Sequence, residues 1–403
     1  MTETHVIVGA GQAGGWAAVA MRQAGFAGRI LLIGAEPHRP YERPPLSKSV
    51  LTAVDEPPVS WFHPAPRYAE LGVELWLGTS VTALDPVARR LALADGREVA
   101  FDRVLLATGG RARRLSVPGG ERALTLRTLE DARAIRARLA GARTVVCIGA
   151  GVIGLEIAAS ARMRGTAVTV LEAAAGPMGR AVSPEVAAFV ARLHRDHGVA
   201  LHFGVTVAEI APRGAGAAVL CADGTAFPAD LVVAGVGMER DLTLADGAGL
   251  ELDGGVVVDT RTAASASGVF AAGDVAAFPH PLFGGARLRL ESWRHAQNHG
   301  TAAGHAMAGA GQPYDDVPWF WTDQFGVNLQ VAGLPGLAAR TVVRADAGGA
   351  FVAVHLGADE RVVGISGANA PRDVRAGMAL IRTGRAVDAG KVGDSAVPLT
   401  AVG

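Results

Sequence analysis

The apolar positions of this chain fall into short unbroken runs, each stopped by glycine or an acid, as in buried strands of a βαβ succession. The first run, from His5, enters Gly9-x-Gly11-x-x-Gly14 and then an alanine-rich helical stretch. A second strand, Arg29–Ile33, ends beside Glu36. The succession returns at Thr144, where a strand enters Gly149-x-Gly151-x-x-Gly154, followed by Ala167–Leu171 and Glu172.

Glycines at that spacing answer three physical needs: a tight turn off the strand, backbone close enough to touch a pyrophosphate, and a helix packed hard on its sheet. The helix N-terminus offers free N–H groups and a positive dipole to phosphate. A carboxylate after the second strand accepts hydrogen bonds from ribose hydroxyls. With both parts present twice, the chain is expected to hold two dinucleotides.

Between and after the two motifs the patterns also match. Val73–Leu77, Ser80–Leu84 and a hairpin turning at Asp95-Gly96 precede an apolar strand, Asp102–Gly109. Glu185–His197 reads as a helix, and Leu201–Phe203, Val205–Ile210 and a turn at Asp223-Gly224 lead to Asp230–Gly237. The two closing strands occupy equivalent places, so the architecture is duplicated.

The proline-rich segment 37–48 interrupts the first copy and cannot be a regular strand. A plain surface loop and a loop reaching over a cofactor are both open readings. At Gly268–Asp274 a short strand ends in glycine and an acid before a helical run from Glu291 to Met307. That stretch reads either as a turn or as an acid meeting a cofactor hydroxyl. The last ninety or so residues change to alternating strands, Phe351–His355 and Val362–Ile365, and an amphipathic run after Arg372, a small third domain of α+β type.

A length of 403 residues suits two or three domains. The 38 basic and 38 acidic residues balance, which removes any bulk attraction to nucleic acid or membrane. Only Cys147 and Cys221 could supply thiols, with neither a Cys-x-x-Cys pair nor metal spacing, so no metal is expected. A strand pattern begins where a leader would need an apolar core, so a cytoplasmic protein is expected. The most membrane-like run, Thr144–Ala161, carries Glu156 and the second glycine motif and is rejected as a span. Lysine occurs only at positions 48 and 391 in an otherwise arginine-based chain, which singles out Lys48.

Arg43–Lys48, Leu106–Gly109, Leu126–Ala132, Gly149–Glu156, Gly273-Asp274, Glu291–Trp293 and Pro318–Gln324, in this order, resemble the FAD-dependent NADH:ferredoxin reductases of bacterial cytochrome P450 and aromatic-ring dioxygenase systems, the putidaredoxin reductase-like family. The resemblance implies an α/β fold with two Rossmann-like dinucleotide-binding domains, glutathione-reductase-like, plus a small C-terminal α+β domain. It places FAD in residues 1–112 and 235–316 and NADH in 113–234, with 317–403 covering the flavin.

Position by position, the resemblance implies that Gly9, Gly11, Ala13 and Gly14 meet the FAD pyrophosphate, Glu36 its ribose, Val81 its adenine through backbone, and Asp274 its ribityl chain. Ala107, Thr108 and Gly109 belong to the same site. Arg43, Lys48, Arg127 and Trp293 lie along the cofactor, with Lys48 and Trp293 nearest the isoalloxazine. Gly149, Gly151, Ile153, Gly154 and Glu172 form the NADH site. Ala35 and Ala112 depart from the family, where a second acid and an arginine-containing stretch are common.

The expected catalytic residues are Lys48, Glu156 and Trp293. Lys48 supplies positive charge beside the reduced flavin, Glu156 is its partner and an acceptor for the nicotinamide amide, and Trp293 stacks by the ring. With no basic residue directly after Glu172, NADH is preferred over NADPH, although Arg180 lies nearby.

The implied partner is a [2Fe–2S] ferredoxin, and indirectly a P450 or Rieske-type oxygenase, for a monomer or weak homodimer without nucleic acid or membrane. Arg287, Arg289, Arg294, Arg340, Arg344, Arg372 and Arg375 either steer that acidic partner or are scattered solvated arginines. The rival readings are a cysteine-free NADH oxidase or diaphorase and a redox-switched flavoprotein resembling apoptosis-inducing factor.

Overall fold

A computed structural model describes residues 3–179, 181–345 and 350–402. Two compact units emerge, each assembled from separate stretches of chain. The first comprises Met1–Glu42, Pro58–Arg111 and Glu239–Asp316; the second comprises Arg43–Pro57, Ala112–Met238 and Val317–Gly403.

In the first unit five parallel strands stand in the order Val269–Ala271, Arg103–Leu106, Thr4–Val8, Arg29–Gly34, Val73–Leu77. Val6, Ile7, Ile30, Leu31, Leu32, Val104 and Leu105 have no exposed surface, which is why these strands read as continuous apolar runs. The helix Gln12–Gln23 packs against the helix Trp293–Met307. Their contact is backbone to backbone: a Cβ on Gly300 would overlap the Ala13 carbonyl, and one on Gly304 the Ala17 carbonyl.

In the second unit the parallel order Leu231–Ala234, Thr144–Ile148, Ala167–Glu172, Ala200–Phe203 repeats that of the first, without the outermost strand. Each sheet has a three-stranded antiparallel meander beside it in sequence, Val81–Asp85 with Arg90–Leu93 and Glu98–Ala100, and Val207–Arg213 with Gly216–Cys221 and Ala226–Ala229. Both meanders slip register at the same place, between Val81 and Ala83 and between Val207 and Glu209. The duplication therefore extends to a bulge.

The C-terminal residues add five antiparallel strands to the second unit, ordered Trp319–Gln324, Val327–Gly333, Val362–Ala368, Phe351–Leu356, Arg340–Ala345, and the helix Pro371–Thr383. The fold is thus α/β with two Rossmann-like domains and a small α+β C-terminal domain.

Two details depart from a reading of composition. Residues 43–57 belong to the second unit, where Arg136 donates to the carbonyls of Val50, Ala53 and Val54, and Arg164 to those of Leu51 and Ala53. Arg344 is no surface arginine: it is buried and donates to the carbonyls of Val392 (2.6 Å) and Val397 (2.7 Å). Arg180 lies outside the described residues.

Candidate functional site

The first glycine motif forms a cradle at the end of Thr4–Val8. Gly9 sits at φ 113°, where an L side chain is strained, and its Cβ would overlap the Ala107 carbonyl. A Cβ on Gly14 would strike the Gly9 carbonyl, whereas one on Gly11 would meet nothing within 4 Å, so the cradle opens there. Gly11 caps the helix Gln12–Gln23 without a side-chain hydrogen bond, and no acid occupies its first turn. Gln12 has both side-chain amide atoms buried without a partner among the described residues. An uncapped N-terminus, open space at Gly11 and an unsatisfied amide fit a dinucleotide pyrophosphate.

Around this cradle, Glu36 accepts a hydrogen bond from the Tyr41 hydroxyl at 2.6 Å. Gly273 packs close enough to Ala13 that a Cβ on it would lie 2.9 Å from the alanine Cβ, bringing the Gly273–Val275 turn and Asp274 to the cradle. Arg240 donates to the Asp274 carbonyl (2.8 Å), and His299 Nδ1 accepts from the Gly273 N–H (3.2 Å). Thr108 and Gly109 follow Ala107, and Val81 opens its meander. The Trp293 indole N–H donates to Glu42, whose carboxyl burial pushes upward while this hydrogen bond opposes the shift.

The second cradle repeats the first. Gly149 lies at φ 99° against the Gly235 carbonyl, a Cβ on Gly154 would strike the Gly149 carbonyl, and the nearest atom to one on Gly151 would be 3.8 Å away. The helix Val152–Met163 is likewise uncapped, and Ile153 is 41% exposed at its start. Glu172 is fixed by backbone: its carboxylate accepts from the N–H groups of Ala150 (2.7 Å) and Ala174 (2.8 Å). Its carboxylate thereby stands at the glycine turn.

Also in the second unit, the Lys48 ammonium lies 2.8 Å from Glu156 Oε2 and 3.2 Å from the Pro44 carbonyl. The Ser47 hydroxyl donates to the same Oε2, and the Thr322 hydroxyl donates to Oε1 at 2.7 Å. Gln324 donates to Thr322 Oγ1 (2.9 Å), and its carbonyl pairs with His194 Nε2 at 2.7 Å. Burial holds His194 below the usual imidazole range. Sequence reasoning reached Lys48 and Glu156 but missed Ser47, Thr322, Gln324 and His194. Arg43 donates to the Arg127 carbonyl, and Arg127 precedes the capping box of the helix Leu129–Leu139. Lys48 and Trp293 fall in different units.

No thiol chemistry accompanies these cradles. Cys147 and Cys221 are both free and buried, and burial pushes the Cys147 thiol up to about 12.

These are the features of a flavin- and pyridine-nucleotide-dependent oxidoreductase. Residues 3–300 match the pyridine nucleotide-disulphide oxidoreductase family and residues 319–402 the reductase C-terminal family, and the chain belongs to the former family with the latter domain appended. It is 38% identical to the ferredoxin–NAD(+) reductase component of the p-cumate 2,3-dioxygenase system of Pseudomonas putida, over 98% of this chain and 97% of the relative. It is 39% identical to the ferredoxin–NAD(+) reductase component of the anthranilate 1,2-dioxygenase system of Burkholderia cepacia, over 98% of each. Its fold matches the crystal structure of the covalent putidaredoxin reductase–putidaredoxin complex with a TM-score of 0.94 at 36% identity, over 99% of this chain and 97% of that one.

Proposed function

We propose that this chain passes electrons from NADH through FAD to a [2Fe–2S] ferredoxin that feeds a cytochrome P450 or a ring-hydroxylating dioxygenase. The observation that carries this reading is two open glycine cradles in a chain whose cysteines are free and buried. Two dinucleotides are held, yet no dithiol stands ready to receive electrons as in disulfide reductases. Relatives of nearly full length are named as ferredoxin–NAD(+) reductases.

Bound FAD supplies the conversion between a two-electron donor and one-electron acceptors. The protein holds and orients the nucleotides. Residues 1–112 and 235–316 hold FAD through Gly9, Gly11, Ala13, Gly14, Glu36, Val81, Ala107, Thr108, Gly109, Asp274 and Trp293. Residues 113–234 hold NADH through Gly149, Gly151, Ile153, Gly154 and Glu172, with 317–403 as the C-terminal domain. Arg43 and Arg127 add cationic contacts to the cofactor. Glu172, already held by two amides, accepts from the adenosine ribose and disfavours a 2′-phosphate. Lys48 pairs with Glu156 and compensates developing negative charge, while Glu156 accepts from the nicotinamide carboxamide.

The reading places the protein in the cytoplasm; among the described residues no helix is long and apolar enough to cross a membrane. Heat should release FAD from the purified protein, and NADH-driven reduction of cytochrome c should require added [2Fe–2S] ferredoxin. Equal cytochrome c reduction without ferredoxin, or a protein that releases no FAD, would overturn the reading.

A further inference from the structure

Glu156 is 2% exposed, and its carboxylate accepts two hydrogen bonds and meets one ammonium inside the second unit. Lys48 and Ser47 occupy Oε2, leaving Thr322 as the donor on Oε1. An ionised carboxylate has about four acceptor sites, so about one remains for an amide N–H.

What orders Thr322 is the chain of side chains behind it. Thr322 and Gln324 are two residues apart on the strand Trp319–Gln324 and so share a face. The Gln324 amide nitrogen donates to Thr322 Oγ1, and its carbonyl faces His194 Nε2, on the helix Pro184–Asp196. His194 must therefore carry its hydrogen on Nε2, and its Nδ1 is buried without a partner among the described residues.

The donors then run one way, from His194 to Gln324 to Thr322 to Glu156. With the Thr322 oxygen accepting from Gln324, its own hydrogen points at the carboxylate. Reversing the chain would require a protonated Glu156 and a flipped Gln324 amide. All four residues are at most 3% exposed, so water cannot substitute for a missing link.

We propose that Thr322, held by Gln324 and His194, is a positioning residue for Glu156, setting the rotation of its carboxylate so that one acceptor site faces the carboxamide of the nicotinamide nucleotide. This rests on the reading above that the second unit binds NADH with Glu156 at the carboxamide. The effect of Thr322 runs through the carboxylate.

The test uses FAD-loaded protein and three variants, Thr322→Val, Thr322→Ser and Gln324→Met, with two readouts. One is the dissociation constant of NAD+ by calorimetric titration. The other is anaerobic flavin bleaching against NADH concentration, which separates the limiting rate from half-saturation. Thr322→Val should weaken NAD+ binding about tenfold and lower the limiting rate, as expected for loss of a hydrogen bond to a charged group. Thr322→Ser, which keeps the hydroxyl, should return both to within about twofold, and Gln324→Met should shift both in the same direction by about threefold.

Thermal melting shows whether each variant folds. If Thr322→Val does not fold, the Gln324→Met comparison decides. A folded Thr322→Val or Gln324→Met with wild-type NAD+ affinity and bleaching overturns the proposal, as does a serine variant no better than valine. Wild-type protein that neither binds NAD+ nor bleaches with NADH would instead count against the functional reading beneath it.

Discussion

Lys48 and Glu156 form a 2.8 Å ion pair in which the lysine keeps 23% of its side chain exposed and the glutamate only 2%. A carboxylate buried to that degree needs its cation, because an unpaired buried charge is far more costly than a missing pair. Lys48→Met should therefore destabilise the protein by about 3–5 kcal/mol. Lys48→Met combined with Glu156→Gln should recover much of that loss while flavin reduction by NADH stays impaired. Urea unfolding of the three proteins checks this; a single variant as stable as wild type would contradict the pairing.

Glu172 is held at its turn by the amides of Ala150 and Ala174. Glu172→Gln keeps the shape but removes the charge that, in the proposed function, pairs with ribose hydroxyls and repels a 2′-phosphate. The ratio of kcat/KM for NADH over NADPH should fall about tenfold or more. An unchanged ratio would remove Glu172 from the nucleotide site.

Gly300 lets the helix Trp293–Met307 lie against the backbone of Gln12–Gln23. A Cβ there meets the carbonyl of Ala13, inside the first cradle, so neither partner can yield by rotating a side chain. Gly300→Ala should cost about 1–3 kcal/mol and lower FAD retention on dialysis. Gly141→Ala, whose Cβ meets nothing within 4 Å, is the neutral control. Equal FAD retention in both would argue against this packing.

His295 and His299 are buried beside Phe278 and Tyr314 in the first unit. Burial lowers the His295 imidazole to about 4 and holds His299 well below its ordinary value. The unfolded chain, titrating near 6.5, thus binds more protons than the folded one in acid. Their contribution to stability is complete above about pH 6.5 and is lost as pH falls toward the folded values, by at most about 1.4 kcal/mol per pH unit for each histidine. Glu42, shifted upward by burial, acts with the opposite sign, so the slope is best read as a difference. His295→Gln should flatten the fall in urea midpoint between pH 6.5 and 4.5, and an identical slope would contradict the assignment.

Much of this architecture is legible in the sequence because parallel strands buried on both faces leave unbroken apolar runs, and the glycine turns punctuate them. The repeated order of two motifs, two acids and two closing strands carries over into two sheets of the same strand order. Lys48 and Glu156 stand out for a similar reason: one is a rare lysine, the other a charge in an apolar helix.

The rest of the Glu156 environment leaves no local trace. Ser47 reaches Glu156 across 109 residues, Thr322 across 166, and His194 meets Gln324 across 130. No periodicity encodes such meetings. Arg344 teaches the same lesson in reverse: the sequence groups it with arginines that steer a partner or are solvated, yet it holds two carbonyls in the interior.

The route of electrons from NADH through FAD to ferredoxin is tested by anaerobic stopped-flow reduction of the FAD-loaded protein by NADH and by NADPH, followed by mixing with a [2Fe–2S] ferredoxin. Bleaching should be fast with NADH and slower with NADPH, and reoxidation by the ferredoxin should outpace reoxidation by oxygen. Slow bleaching by NADH, or a reduced flavin that oxygen reoxidises faster than ferredoxin does, would contradict that route.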